Sequence, residues 1–291
     1  MKKIIIAGGS GLIGTYLTSY FSSKDYQILT ISRSSANNTI TWDSDLSQYI
    51  SGADCLINLA GASIGGSRWT DEFKKVVISS RVDATSKLVD AINSAKQKPK
   101  LLINASAIGY YGDRRDEELD ESSQCGSGFL ADVCRQWENS LDGISPETRL
   151  VVARIGIVLS ARGGALEKMA TPVKMFAGGK LGSGKQWMSW IHIHDVARLI
   201  DFIIENKGVA GAVNFVSPEP IRNTDFTREL GKVLNRPIWA PVTEFALSMI
   251  LGESKEMVLS SQRVVPKSAI NHGFEFIHSD LNKALTDLLV K

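Results

Sequence analysis

Lys3-Ile4-Ile5-Ile6-Ala7-Gly8-Gly9-Ser10-Gly11-Leu12-Ile13-Gly14, at the head of the chain, is the stretch whose reading decides the fold. Its first five residues are a run of mostly β-branched side chains without alternation, which reads as a strand buried on both faces of a parallel sheet. The run enters glycines spaced Gly8-x-x-Gly11-x-x-Gly14, after which Leu12, Tyr16 and Tyr20, with Leu17 and Phe21, recur at helical spacing. Strand, glycine loop and helix in this order are a dinucleotide fingerprint. The glycines allow a tight turn and close approach of backbone to a pyrophosphate, and the helix N-terminus offers unpaired N–H groups to the anion. A glycine-rich turn with no ligand is the plain alternative, and the agreement of strand, loop and helix weighs against it.

Outward from this stretch, strand-like runs recur at Gln27–Ser32, Cys55–Leu59, Lys100–Ala105 and Arg149–Ala153, with a short one at Thr39–Trp42. Helical patterns at Asp71–Ala95 and Ser127–Leu141 lie between them. Alternation of buried strands and helices predicts an α/β fold, a Rossmann-type doubly wound parallel sheet over about residues 1–160. Residues 161–291 read as a smaller substrate or lid domain. It has glycine-rich loops, a helix from Ala165 to about Phe176, one from Asp195 to Asn206 that opens on Asp195 as N-cap, and one over Asn223–Leu234. A last helix over Ser279–Leu289 has Ser279 and Asp280 as caps, and a strand at Val213–Val216 is a candidate to return to the first domain.

Composition excludes several classes. With 43% hydrophobic and 22% charged residues over 291 positions, the chain is an ordinary globular one. A balance of 33 basic against 31 acidic residues is too even for a nucleic-acid sleeve or a basic membrane patch. Cys55, Cys125 and Cys134 are too few and too scattered for a disulfide framework or a zinc site, so no metal is expected. No apolar stretch approaches the ~20 residues that span a bilayer, and the first apolar run stops at Ala7, short of a signal peptide. The expectation is a soluble cytoplasmic protein, monomer or homodimer, whose partner is a small-molecule substrate.

The end of the second strand chooses the cofactor. A carboxylate there would hold the ribose 2′-hydroxyl of NAD. The chain has Ile31-Ser32-Arg33 instead, and its next acid is Asp43. A guanidinium grips a 2′-phosphate with a charge-assisted bond that a carboxylate would forbid. The cofactor read from the sequence is NADP(H).

At this point the sequence resembles a family. Asn58-Leu59-Ala60-Gly61, Ser80-Arg81, Ser106-Ala107-Ile108-Gly109-Tyr110-Tyr111-Gly112, Trp137-Glu138 and Gly163-Gly164-Ala165-Leu166 carry the likeness. Gly182-Ser183-Gly184-Lys185-Gln186, Trp190-Ile191-His192-Ile193, Arg236-Pro237 and Gln262-Arg263-Val264-Val265-Pro266 continue it. Together they resemble the atypical extended short-chain dehydrogenase/reductases of the "epimerase family", which pair an epimerase/dehydratase-like domain with a C-terminal domain of unknown function. The glycine spacing is the form associated with extended members. The resemblance runs from Lys3 to about Leu288. It implies cofactor contacts at Gly8, Ser10, Gly11, Leu12, Ile13, Gly14, Ser32, Arg33, Leu59, Ala60, Gly61 and Arg81, with Val158 near the nicotinamide.

Extended short-chain dehydrogenases work with a serine, a tyrosine and a lysine four residues after it. Ser106 matches the serine. The pair should open the next helix, yet 126–141 contains neither Tyr nor Lys; Phe129/Val133 or Leu130/Cys134 stands there. The one Tyr-x-x-x-Lys, Tyr20 and Lys24, lies at the far end of the first helix. Tyr110 and Tyr111 are the candidate replacement acids beside Ser106. Lys185, Trp187, Trp190 and His192 are the candidate substrate residues. Trp187-Met188-Ser189-Trp190 offers aromatic surface and no cation, which argues against a nucleotide-sugar substrate. The leading reading is an NADP(H)-dependent oxidoreductase or epimerase-like enzyme on a small molecule. The rival is a non-catalytic NADP(H)-binding sensor or scaffold.

Overall fold

The computed structural model describes residues 1–34, 38–65 and 68–290. The opening stretch folds as read: β1 (Lys3–Ala7) enters the glycine loop and leaves it as α1 (Leu12–Ser22). Then come β2 (Gln27–Ser32), β3 (Thr39–Thr41), α2 (Leu46–Ile50), β4 (Cys55–Asn58), α3 (Asp71–Ser94) and β5 (Leu101–Ala107). A 3-10 turn over Ile108–Tyr111 and β6 (Glu118–Leu119) precede α4 (Phe129–Asn139), β7 (Arg149–Ile155), β8 (Ile157–Leu159) and α5 (Ala165–Lys174). The second half continues with β9 (Trp187–Met188), β10 (Trp190–His192), α6 (Ile193–Glu205), β11 (Gly211–Phe215), β12 (Ile221–Arg222) and α7 (Asn223–Leu234). It ends with α8 (Glu244–Leu251), α9 (Glu256–Leu259), β13 (Arg263–Val264), α10 (Lys267–Asn271) and α11 (Leu281–Leu289).

Seven strands form one sheet in the order β11-β7-β5-β4-β1-β2-β3, every neighbouring pair parallel. Side chains alternate through it. Ile4, Ile6, Ile57 and Ile103 pack beneath α1 and α6, while Ile5, Ala7, Leu56 and Leu102 pack beneath α3. Two-sided burial is why these strands read as continuous apolar runs. Strand order reverses beside β1, which lies between β2 and β4, and such a switch point opens a crevice for ligands at the strands' C-terminal ends.

The boundary near residue 160 is crossed twice. After α5 and its loops the chain returns: β10 pairs with β8, α6 packs on the α1 side of the sheet and β11 closes the sheet's edge. The second half has a core of its own, built around Leu166, Val173, Trp190, Phe226, Leu230 and Leu285. The expected capping of α6 by Asp195 does not occur. His192 is the N-cap, its Nδ1 accepting from the His194 N–H at 3.0 Å. Asp195, wholly buried in the first turn, instead accepts from the N–H groups of Ile277 and His278 and from Arg198. Its carboxylate ties the C-terminal segment down. Asp280 caps α11 as read, accepting from the Lys283 N–H at 2.8 Å. No helix among the described residues is long and apolar enough to cross a membrane.

Candidate functional site

The glycine loop is a cradle with little room for side chains. Gly8 has φ +81°, and a Cβ there would lie 2.8 Å from the Leu59 carbonyl group. A Cβ on Gly14 would lie 2.4 Å from the Gly8 oxygen, whereas one on Gly11 would meet only that oxygen, at 3.4 Å. Space therefore stays open above Gly11. Gly11 is also the N-cap of α1 and supplies no side-chain acceptor, so the first N–H groups of the helix point at that space beside Ser10, Leu12 and Ile13. The loop before α5 closes over the same turn, where a Cβ on Gly164 would touch Leu12 at 2.7 Å.

Ser32 and Arg33 stand at the end of β2, and Arg33 is exposed with no ion pair among the described residues. Across the switch point, buried Asn58 donates to Thr85 and Asn104 and accepts from the Ala60 N–H, which fixes the turn Leu59-Ala60-Gly61. Arg81 of α3 packs on that turn. Its Nη1 and Nη2 donate to the carbonyls of Val77 and Ala62 and its guanidinium lies 5.1 Å over the Trp137 ring. No carboxylate among the described residues pairs with it, and burial lowers its pKa. The half-buried guanidinium thus holds its place by two backbone carbonyls and a ring face, with no counter-charge among the described residues. Val158, half-buried on β8, lies against the α1–α6 core.

The three expected catalytic residues gather round Arg154 with different partners. Ser106 is 3% exposed, and its hydroxyl donates to Glu138 Oε1 at 2.6 Å. Glu138 also takes Arg154 on both oxygens, at 3.0 and 2.9 Å. Arg154 is the register partner of Ser106 on the next strand. Its Nη1 donates to the Tyr111 hydroxyl, and that hydroxyl donates in turn to Asn214 of β11 at 2.7 Å. Burial pushes the Tyr111 phenol up to about 12. Ser106 and Tyr111 are thus members of a buried brace across β5, β7, β11 and α4, not free groups facing a substrate. Tyr110 is different. Its ring lies 3.5 Å from the Arg154 guanidinium, and its hydroxyl makes no hydrogen bond among the described residues. Glu138, Arg154 and Asn214 escaped the sequence reading. The available signal was Arg154 itself, a charge inside an apolar strand, which needs a carboxylate from a neighbouring element.

The substrate candidates also divide. Trp190 is 1% exposed in the lid core, so it is packing rather than stacking surface. His192 is 3% exposed and occupied as the α6 cap. Its Nε2 comes 3.2 Å from Asp287, and its ring stacks on His278. These three residues gather ligand atoms within 4.8 Å of one another, but an Nδ1 that accepts a backbone N–H leaves the proton, not a lone pair, on Nε2. Lys185 is exposed. Trp187 is half-buried, and two cations from elsewhere flank it: Arg222 lies 4.1 Å and Arg263 5.2 Å from its ring, paired with Asp116 and Glu118 respectively. The spacing of one loop could not show this, because β12 and β13 bring them. Tyr20 and Lys24 share Asp201 on the outer end of α1, far from the glycine loop.

Residues 4–133 match the profile of the NAD dependent epimerase/dehydratase family, and residues 242–288 match a domain of unknown function, DUF1731. The chain is 38% identical to the chloroplastic epimerase family protein SDR39U1 homolog of Arabidopsis thaliana, over 98% of this chain and 86% of that one. It is 38% identical to epimerase family protein YfhF of Bacillus subtilis, over 99% and 98%. Among solved structures, human epimerase family protein SDR39U1, crystallised with NADPH, superposes with a TM-score of 0.94 at 32% identity, covering 98% of each chain. UDP-glucuronic acid 4-epimerase of Bacillus cereus, at 15% identity and a TM-score of 0.77, shares the fold. Identity at this level over nearly the whole chain, on a Rossmann sheet followed by a DUF1731 segment, makes this chain a member of the epimerase family, of the extended short-chain dehydrogenase type.

Proposed function

We propose that the chain binds NADP(H) at the β1–α1 loop and uses it as an oxidoreductase or epimerase-like enzyme on a small molecule. The observation that carries the reading is the set of donors beside the switch point: the α1 N-terminus, which no side chain caps, Arg33, which has no ion pair among the described residues, and Arg81, which has no carboxylate partner among them. Arg33 would hold the 2′-phosphate, the α1 N–H groups the pyrophosphate, and Arg81 an acceptor of the cofactor beside Leu59–Gly61. The bound cofactor would supply or accept a hydride. The human relative's crystal structure with NADPH supports the same choice. Calorimetric titration tests it. NADPH should bind at least about tenfold more tightly than NADH, the worth of one charge-assisted bond. Arg33→Ala should erase the difference; equal affinities in the unaltered chain, or a preference that survives the substitution, would sink the reading.

A second reading has one observation in its favour. Either Phe129/Val133 or Leu130/Cys134 stands in the tyrosine and lysine frame of α4, and the Cys134 thiol, donating to the Ala107 carbonyl, is pushed up to about 12 by burial. A chain that binds NADPH tightly and turns over no carbonyl compound, followed at about 340 nm, would be a sensor or scaffold.

A further inference from the structure

Helix α4 turns Leu130 and Cys134 toward the 3-10 turn after β5: a Cβ on Gly109 would lie 3.2 Å from Leu130 Cβ and 3.6 Å from Cys134 Sγ. A hydrocarbon and a buried thiol do not exchange protons near neutrality. The side chain that does reach the head of this helix belongs to the lid. Glu256, the first residue of α9, places Oε1 2.8 Å from where a Cβ on Gly128 would stand. Gly128 immediately precedes α4, and its φ of +103° independently requires glycine. Around it, Phe129 packs edge-on against Trp69 with ring centroids 5.0 Å apart, and Lys74 lies over the Phe129 ring. The Glu256 carboxylate is half-buried and accepts no hydrogen bond among the described residues. Lys74 of α3, Glu253 in the turn before α9 and Asp113 after β5 are the charges that face it. Lys74 is already paired with Glu253. Burial raises the Glu256 pKa, Lys74 opposes the rise, and Glu253 and Asp113 add to it.

We propose that Glu256 exchanges the proton with the substrate oxygen, so that the lid supplies the acid that α4 lacks. The proposal rests on the NADP(H) reading. In the reducing direction, a hydride from NADPH, which is oxidised, forms the new C–H bond and the C=O π pair moves onto oxygen. The Glu256 O–H bond breaks and its proton forms the substrate O–H bond. Water restores the proton through the exposed side of the carboxylate.

The test uses the full chain with NADPH binding measured first, since a chain that fails to bind it overturns the cofactor reading and this proposal together. With glutamate labelled at the carboxyl carbon and Glu256→Gln identifying the signal, Glu256 should titrate above the free-glutamate value of about 4.3. That signal should move when NADPH saturates the protein. Against benzaldehyde, cyclohexanone and 1-indanone, Glu256→Gln should lower turnover about a hundredfold or more while NADPH affinity stays within about twofold. Tyr110→Phe removes the rival acid, and its turnover is read beside that of Glu256→Gln. Four results would overturn the assignment: titration at or below the free value, a Gln variant as active as the unaltered chain, loss confined to Tyr110→Phe, or no carbonyl reduced by a chain that binds NADPH.

Discussion

Two glycines of the same loop do different work. At Gly14 an added Cβ would stand 2.4 Å from the Gly8 oxygen and 2.7 Å from Gly9 Cα, so any side chain displaces the loop itself. At Gly11 the backbone is ordinary, with φ −74°, and the nearest atom would be 3.4 Å away. Gly11→Val should therefore fold normally, with a melting temperature within about 2 °C of the unaltered chain. It should lose NADPH affinity by about a hundredfold or more, because the isopropyl group fills the space where pyrophosphate approaches backbone. Normal NADPH binding by this variant would reduce the loop to a turn. The strand, glycine loop and helix were legible in the sequence because their pattern is local: all three lie within the first 22 residues. The roles of Ser106 and Tyr111 were not, because their partners arrive from 32 and 103 residues away.

Elements were read well where local pattern and turn residues agree. β1, an apolar run buried on both faces, β2 and the amphipathic α7 have the expected ends. Capping of α6 was misread because Asp195 is an excellent N-cap by type, and only the tertiary fold reveals that Ile277 and His278 claim it. The brace of β5, β7 and α4 shows the same limit with larger energies. Glu138 and Arg154 form a bidentate pair whose side chains are 15% and 6% exposed. Glu138→Gln would leave the guanidinium buried without its counter-charge, a loss of about 3–5 kcal/mol. Ser106→Ala removes one hydrogen bond to the same carboxylate and should cost about 1–3 kcal/mol. Urea unfolding of both variants checks the order. If Glu138→Gln unfolds like the unaltered chain, the pair is not the strut described.

Over the whole molecule, sheet and lid are joined at a seam of imidazoles. His192 ends β10 and caps α6, its ring stacks on His278 of the C-terminal segment at 3.8 Å, and Tyr16 of α1 meets His194 at 3.0 Å. The cap works only while Nδ1 of His192 is unprotonated. Burial first, then the neighbouring His278, pushes the His192 pKa down to about 4, against the pull of Asp287 and Asp195. Burial also lowers that of His194, with Asp195 and Asp287 opposing and His278 and Arg198 assisting. A depressed histidine pKa means that the unfolded chain binds more protons than the folded one between about 4 and 6.5. Stability from this group is complete above the unfolded value, falls as pH drops through that window, and is gone below the folded value. Raised pKa values at Glu121 and Glu256, each due first to burial, work the other way from the carboxylate value of 4.5 upward. The melting temperature should therefore fall between pH 7 and pH 4.5, by several degrees. His192→Asn keeps an acceptor at the cap and removes the titration. This variant should flatten most of the slope, His194 accounting for the remainder. An unchanged slope in His192→Asn would place the acid sensitivity elsewhere, and an unaltered chain that melts at the same temperature at both pH values would show that the seam does not hold lid to sheet.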